Sequence, residues 1–157
     1  MKRWLIVCAA LFSATCMAKE ANTLFAVHSV ELNQQNKPKE RTLFEKGGRF
    51  QIENMADKSV KTIYINKKVK GVYLEAGNYC YSSVFISQSQ RAPIVNPICF
   101  TISNTHVNII GTFVIGTRVT TKGAYALIVD IKQNYTEIAQ AANQPNAKPV
   151  PLFKPEG

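Results

Sequence analysis

The sequence predicts a mainly β protein: a small antiparallel β-sandwich of about seven or eight strands, with one short C-terminal helix and an extended Pro-rich tail. Three observations carry that expectation. Apolar and polar residues alternate with a period of two through most of the chain, the pattern of strands buried on one face. Clusters of glycine, proline and asparagine interrupt the alternation at short intervals. One window near the C-terminus repeats its apolar residues at helical spacing instead.

The chain has 157 residues, and residues 1–18 read as an export signal. Met1-Lys2-Arg3 is a basic start, Trp4 to Phe12 an uncharged apolar run, and Ser13 to Ala18 a small and polar stretch before Lys19-Glu20. That order is the pattern of a secretory signal peptide. The apolar run is shorter than the ~20 residues that span a bilayer; the alternative reading is a buried N-terminal helix. Cleavage after Ala18 leaves residues 19–157, about the modal size of one domain. A second route cuts before Cys16 and lipidates it, anchoring the protein to a membrane as a lipoprotein. Ser13-Ala14-Thr15 departs from the Leu-Ala-Gly type of sequence which that route uses. Periplasmic export is therefore the first expectation, with the lipoprotein as alternative.

Composition is that of ordinary globular material, 46% hydrophobic and 18% charged, and not of a disordered chain. The formal net charge is +9, and Lys2 and Arg3 leave with the signal. Cys8 and Cys16 also lie in it, so the mature chain keeps Cys80 and Cys99. In an oxidising compartment such a pair reads as a disulfide, which would stabilise the fold by roughly 3 kcal/mol for a loop of about 20 residues. Free or metal-binding thiols are the alternative, without the CxxC spacing that would favour it.

The elements follow in order. Thr23 to Leu32 alternates as a first strand, with Leu24, Ala26, His28, Val30 and Leu32 on one side. Asn33 to Lys39 is a polar loop. After Gly47-Gly48, Arg49 to Glu53 alternates, and Val60 to Ile65 sets Ile63 and Ile65 against Thr62 and Tyr64. Val72-Tyr73-Leu74 follows Gly71, and Ala76-Gly77-Asn78 turns into a strand from Tyr79 to Ser87. Gln88 to Pro97 is a loop. Ile98 to Ser103 and Val107 to Val119 are strands, the second interrupted by Gly111 and Gly116, positions that suggest a bulge or bend. Tyr125 to Ile131 is short and apolar enough to be a buried strand. Cys80 and Cys99 fall on the polar faces of their strands, which places a structural staple on the outer side of a sheet. Asn134 with Glu137 has the form of a capping box, with asparagine in place of serine or threonine. Tyr135, Ile138, Ala139 and Ala142 then share a helical face, and Asn143-Gln144-Pro145 ends the helix. Residues 144–157 hold four of the seven prolines and are expected to be extended or mobile, with Val150, Leu152 and Phe153 free to dock on the domain or on a partner. The domain proper is thus expected over residues 19–143.

Val72 to Tyr79 (VYLEAGNY) forms an apolar strand followed by an Ala-Gly-x-Tyr step, and Ile109 to Ile115 (IIGTFVI) follows as an x-Ile-Gly-x-apolar strand. In this order, and ending in a short Ala-rich helix, the chain resembles uncharacterised bacterial envelope proteins and lipoproteins with transthyretin-like, or carboxypeptidase-regulatory-like, β-sandwiches. The resemblance covers about residues 60–142 and implies the fold; it brings no site residue with it.

No sequence pattern specifies catalysis. A nucleophile, base and acid set needs residues within hydrogen-bond reach, and the mature chain offers His28, His106, Asp57 and Asp130 without a Gly-x-Ser-x-Gly elbow. His28, His106 and Glu31 lack metal-ligand spacing, so His28 reads as a packed strand histidine and His106 as a turn histidine. Glu53, Glu75 and Glu137 read as solvated or capping rather than as a glycosidase pair. No cofactor is expected. Lys58, Lys61, Lys67, Lys68 and Lys70 fall within thirteen positions. Gathered at one end of a sheet they would attract anionic polymers or membranes; the alternative is that they guard an edge strand. Nucleic acid is a poor candidate partner for an exported chain without a basic-aromatic stripe.

The leading expectation is a non-enzymatic binding module of the cell envelope that recognises a protein, such as an envelope or secretion-system component, through a sheet face or the tail. Tyr64, Tyr73, Tyr79 and Tyr81 are candidates for its contact surface, with Tyr79 and Tyr81 better suited to the core. The first alternative is an anionic envelope surface bound by the lysines. A lysozyme inhibitor fits the size but not the charge, since cations repel. An enzyme requires His28 or His106 beside Asp130 in a cleft. Asn134-Tyr135-Thr136 is also a formal glycosylation acceptor should export be eukaryotic.

Overall fold

The computed structural model describes residues 19–42 and 48–157; the predicted signal peptide with Cys8 and Cys16, and Gly47 of the predicted turn, lie outside them. Two sheets pack face to face. Sheet A contains β1 (Thr23–Leu32), β2 (Pro38–Thr42), β5 (Lys70–Val72), β9 (Asn108–Thr120), β10 (Gly123–Lys132) and β11 (Lys148–Pro149). Its order is β10-β9-β1-β2, with β5 also on β1 and β11 also on β9. Sheet B contains β3 (Gly48–Asn54), β4 (Val60–Ile65), β6 (Gly77–Phe85), β7 (Arg91–Pro93), β8 (Cys99–Ile102) and β12 (Leu152–Phe153). Its order is β12-β8-β6-β3-β4, with β7 also on β6.

The core forms where the inward residues of both sheets meet. Phe25 of β1 and Phe113 of β9 face Phe50, Tyr81 and Phe100 of sheet B, all essentially inaccessible. Tyr81 is the hub: its ring lies 4.4 Å from Phe113, 5.4 Å from Phe50 and 5.6 Å from Phe100.

Most strands sit where the alternation predicts, and the differences have physical causes. The sandwich is mixed: β1 and β9 run parallel, from Thr23 opposite Asn108 to Glu31 opposite Thr117. Between β1 and β9 the chain runs through β2 to β8, crossing to sheet B and back, so no tight turn sets the relative direction of the two strands. Both are also covered on two faces. Helix α1 (Tyr135–Ala141) lays Ile138 and Ala139 over Leu24, Ala26 and Ile109 on the outer side of sheet A. Strands buried on both faces read as apolar runs, here Leu24 to Val27 and Ile109-Ile110, and parallel pairing is at home in that setting.

Two glycines make this layer fit. Gly111 has φ +92° and sits at the shift of register between β1 and β9; a Cβ there would lie 3.0 Å from the Lys132 carbonyl. Gly116 lies beneath the Leu32 side chain, whose Cγ would be 2.6 Å from an added Cβ.

The predicted capping box does not form. Asn134 makes no side-chain bond to a helix N–H; its Nδ2 donates instead to Glu137 Oε2 at 3.2 Å. The tail is not a mobile appendage. Lys148 and Pro149 pair with Asn108 and Ile109 in sheet A, and Leu152 and Phe153 with Phe100 and Cys99 in sheet B. Val150, buried between them, donates its N–H to the Ile109 carbonyl at 3.0 Å. The tail therefore joins the two sheets at one side of the sandwich, which is where its apolar residues find cover.

Cys80 and Cys99 form a disulfide between directly opposed residues of β6 and β8, with their Cα atoms 3.9 Å apart. Both lie on the face opposite Tyr79, Tyr81 and Phe100, as the alternation requires. Cys99 is nevertheless fully buried.

Candidate functional site

Helix α1 covers sheet A, whereas the outer face of sheet B has no comparable cover among the described residues. Alternation places Val60, Thr62 and Tyr64 of β4, Arg49, Gln51 and Glu53 of β3, Ser83 and Phe85 of β6, and Arg91 of β7 on it. These side chains are already arranged. The Arg49 guanidinium lies 4.0 Å from the Phe85 ring centroid and 5.9 Å from that of Tyr64. Its Nη2 donates to the Ser87 and Gln88 carbonyls at 3.2 and 2.8 Å. Beside it, Gln51 Oε1 accepts from Arg91 Nη1 at 3.0 Å and from Ser83 Oγ at 2.8 Å, while Gln51 Nε2 donates to Thr62 Oγ1 at 3.0 Å. Tyr64 is 58% exposed. A large exposed aromatic beside a pre-oriented arginine is the kind of group that anchors protein contacts.

The five lysines do not come together. Lys58 lies in the β3–β4 turn, 3.4 Å from Glu53, and Lys61 on β4 donates to the Tyr73 carbonyl at 2.8 Å. Lys67 and Lys68 occupy the turn at the other end of β4, about 20 Å away at strand rise. Lys68 pairs with Glu137 at 2.7 Å, and Lys70 is half-buried on β5. Among the tyrosines, Tyr79 and Tyr81 are core residues. Tyr73 is half-buried, with the Lys19 ammonium 4.6 Å from its ring centroid. The hydrogen bond from Lys19 lowers the Glu75 carboxyl below its ordinary range, and the bond from Lys68 does the same for Glu137.

His28 is exposed, not packed as its neighbours on β1 suggest, because α1 ends its cover over Leu24 and Ala26. It lines a cavity of about 140 Å³ with Lys68, Thr112, Lys132, Asn134 and Glu137. His28 and Asp130 both stand opposite Val114, one on each side of β9. Two strand spacings separate them, and the Asp130 carboxylate accepts from the Ile131 N–H at 2.8 Å. His106 sits in the turn before β9, its Nδ1 3.0 Å from Thr105 Oγ1. Among the described residues no three His, Cys, Asp or Glu side chains gather as a metal site.

A larger groove of about 600 Å³ opens where β1, β6 and β9 end, lined by Leu32, Ile86, Arg118 and Val119 among others. Arg118 is committed there to structure: its Nη1 donates to the Gln34 carbonyl at 2.8 Å and to Tyr125 Oη at 3.2 Å.

Sequence reasoning missed Arg49, Gln51, Phe85 and Arg91. Alternation against Phe50 and Ile52 puts Arg49 and Gln51 on an outer face. Their meeting with Phe85 and Arg91 depends on pairing between β3, β6 and β7, which no local pattern encodes. Set against protein families, characterised proteins and solved structures, the chain matches none.

Proposed function

We propose that the chain is an exported, non-enzymatic binding module of the bacterial cell envelope that recognises a protein partner through the open face of sheet B. The observation that carries this reading is Arg49 held between Phe85 and Tyr64 on a sheet face without a covering helix among the described residues. Arginine and tyrosine are enriched at the energetic centres of protein interfaces. Side chains fixed before binding lose less entropy when a partner arrives. The Cys80–Cys99 disulfide fits a life in an oxidising compartment.

Co-sedimentation of the mature protein with isolated bacterial envelopes, across a salt series, tests the proposal. Three variants accompany it: Arg49→Ala, Phe85→Ser, and a triple change of Lys67, Lys68 and Lys70 to Glu. The expected result is binding that resists salt, persists in the triple variant and falls about tenfold in each face variant, the loss of one interface anchor. Binding that vanishes with salt and in the triple variant, yet persists in the face variants, overturns the proposal in favour of an anionic surface. Melting curves of the variants separate lost contact from lost fold.

A further inference from the structure

A strand at the edge of a sheet leaves about half its N–H and C=O groups without a ladder partner, a template for another chain. Most edges here are short or closed. On sheet A, β10 is capped by the loop after β7: Val95 donates to the Ala126 carbonyl at 3.0 Å. The Asn96 side chain both donates to the Ile128 carbonyl and accepts from the Ile128 N–H, as a strand would. Strand β2 starts at Pro38 and its register on β1 is broken, and β5 has three residues. On sheet B, β12 has two residues, with Pro151 and Pro155 nearby.

Strand β4 differs. It pairs with β3 along its whole length, Val60 with Glu53 through to Ile65 with Gly48. Among the described residues its main chain makes no bond to any other element. The chain leaves it through residues 66–69 and enters the other sheet as β5. Its sequence, VKTIYI, holds no glycine or proline and is rich in strand formers. Val60 and Tyr64 are 51% and 58% exposed, so cross-strand neighbours for an added strand are in place.

The charges say which strand fits. Around Val60, Lys58 pairs with Glu53 and Lys61 donates to the Tyr73 carbonyl. Past Ile65, Lys67 and Lys68 share the turn that leads to Lys70 at the start of β5, and among the described residues Glu137 pairs with Lys68. A second copy fits badly, since two β4 strands paired Val60 to Ile65 would set Lys58 of each against Lys67 of the other. We propose that the free edge of β4 takes up an extended acidic segment of a partner protein as an added strand, its carboxylates toward the Ile65 end. This rests on the reading of the chain as a binding module. The lysines then repel self-association and attract this partner at once, which is how specificity arises.

The test uses the mature chain with its disulfide intact. The probe is a capped eight-residue peptide of alternating valine and threonine with three aspartates at one end. Amide hydrogen exchange is followed by NMR. The outward N–H groups of Val60–Ile65 are expected to exchange at least about tenfold more slowly with peptide, with β2 and β12 unchanged. A peptide with lysines for the aspartates, and one with alternate backbone amides methylated, should give no protection. Three results overturn the proposal: no protection of β4 at millimolar peptide, protection located elsewhere, or β4 protected without peptide in a chain that sediments as a dimer. Phe85→Ser separates the two ideas, since Phe85 lies two strands from this edge. Protection of β4 together with undiminished envelope binding by Phe85→Ser retires the face and keeps the edge. Its reverse, no protection with envelope binding lost in Phe85→Ser, retires the edge alone.

Discussion

Replacing Tyr81 with phenylalanine removes one oxygen from a fully buried aromatic at the centre of the core. The Tyr81 ring is fully buried among Phe25, Phe50, Phe100 and Phe113, and among the described residues its hydroxyl has no hydrogen-bond partner. A buried donor without a partner forfeits its bond to water on folding, at a cost of about 1–3 kcal/mol. Phenylalanine keeps the stack on Phe113 and removes that penalty, but leaves a gap the size of the oxygen whose lost contacts offset part of the gain. The net expectation is a stabilisation of about 1 kcal/mol. In urea, with a slope near 2 kcal/mol per molar, that moves the midpoint up by about 0.5 M. In a thermal scan it raises Tm by about 3–4 °C for a domain of this size. A second readout is alkaline. Burial pushes the phenol well above its ordinary value of 10. The neutral ring thus contributes stability that is complete below pH 10 and is lost as pH rises from there toward the folded value. Tyr81→Phe should remove that alkaline loss. A variant destabilised by 1 kcal/mol or more, with the alkaline slope unchanged, would refute the reasoning and mean that the hydroxyl is bonded in solution.

Three further perturbations test the packing and the charges. Changing both Cys80 and Cys99 to alanine should cost about 3 kcal/mol, the loop-closure value for a sequence separation of 19, read as a drop in the urea midpoint. Gly116→Ala should destabilise by about 1–3 kcal/mol, because the new methyl enters the space of the Leu32 side chain; adding Leu32→Ala should recover part of that cost, a non-additivity that a double-mutant cycle measures directly. Glu137→Gln should flatten the acid limb of the stability curve. The Lys68 bond lowers the Glu137 carboxyl, so its contribution is complete above the ordinary value of 4.5 and is lost as pH falls through the folded value. Because the pair is exposed, the effect at neutral pH should be small.

What the sequence could disclose was whatever depends on neighbours along the chain. The alternation of Arg49 to Glu53 around Phe50 and Ile52, and of Tyr79 and Tyr81 against Cys80, is local, and so the strands, their inward faces and the side of the disulfide were legible. Helical spacing of Ile138 and Ala139 likewise exposed α1. The parallel meeting of β1 and β9, the insertion of the tail into both sheets and the shelter of Gly116 under Leu32 depend on partners 40 or more residues apart. No periodicity encodes those meetings. His28 shows the limit well: its face was readable, but the point at which α1 stops covering that face was not. The candidate surface was less legible than the fold, since Tyr64 stood out alone while its companions Arg49 and Phe85 come from strands paired only in space. The lysines misled for the opposite reason, because closeness along a strand places Lys58 and Lys67 at opposite ends of it.

The two outer faces of the sandwich differ in what covers them among the described residues. On sheet A, Leu24, Ala26 and Ile109 point outward, and the chain spends its one described helix to keep them from water. The outward positions of sheet B are mostly Gln51, Thr62, Ser83, Arg91 and Thr101, which need no cover, so exposure alone says little. What exceeds that requirement is exposed Tyr64 and half-buried Phe85, with the Arg49 guanidinium over both rings. The strands beneath are held firmly, β6 to β8 by the disulfide and β8 to β12 by the docked tail. A rigid sheet with a few exposed aromatic contacts suits the proposed recognition, because preorganisation lowers the entropic cost of association.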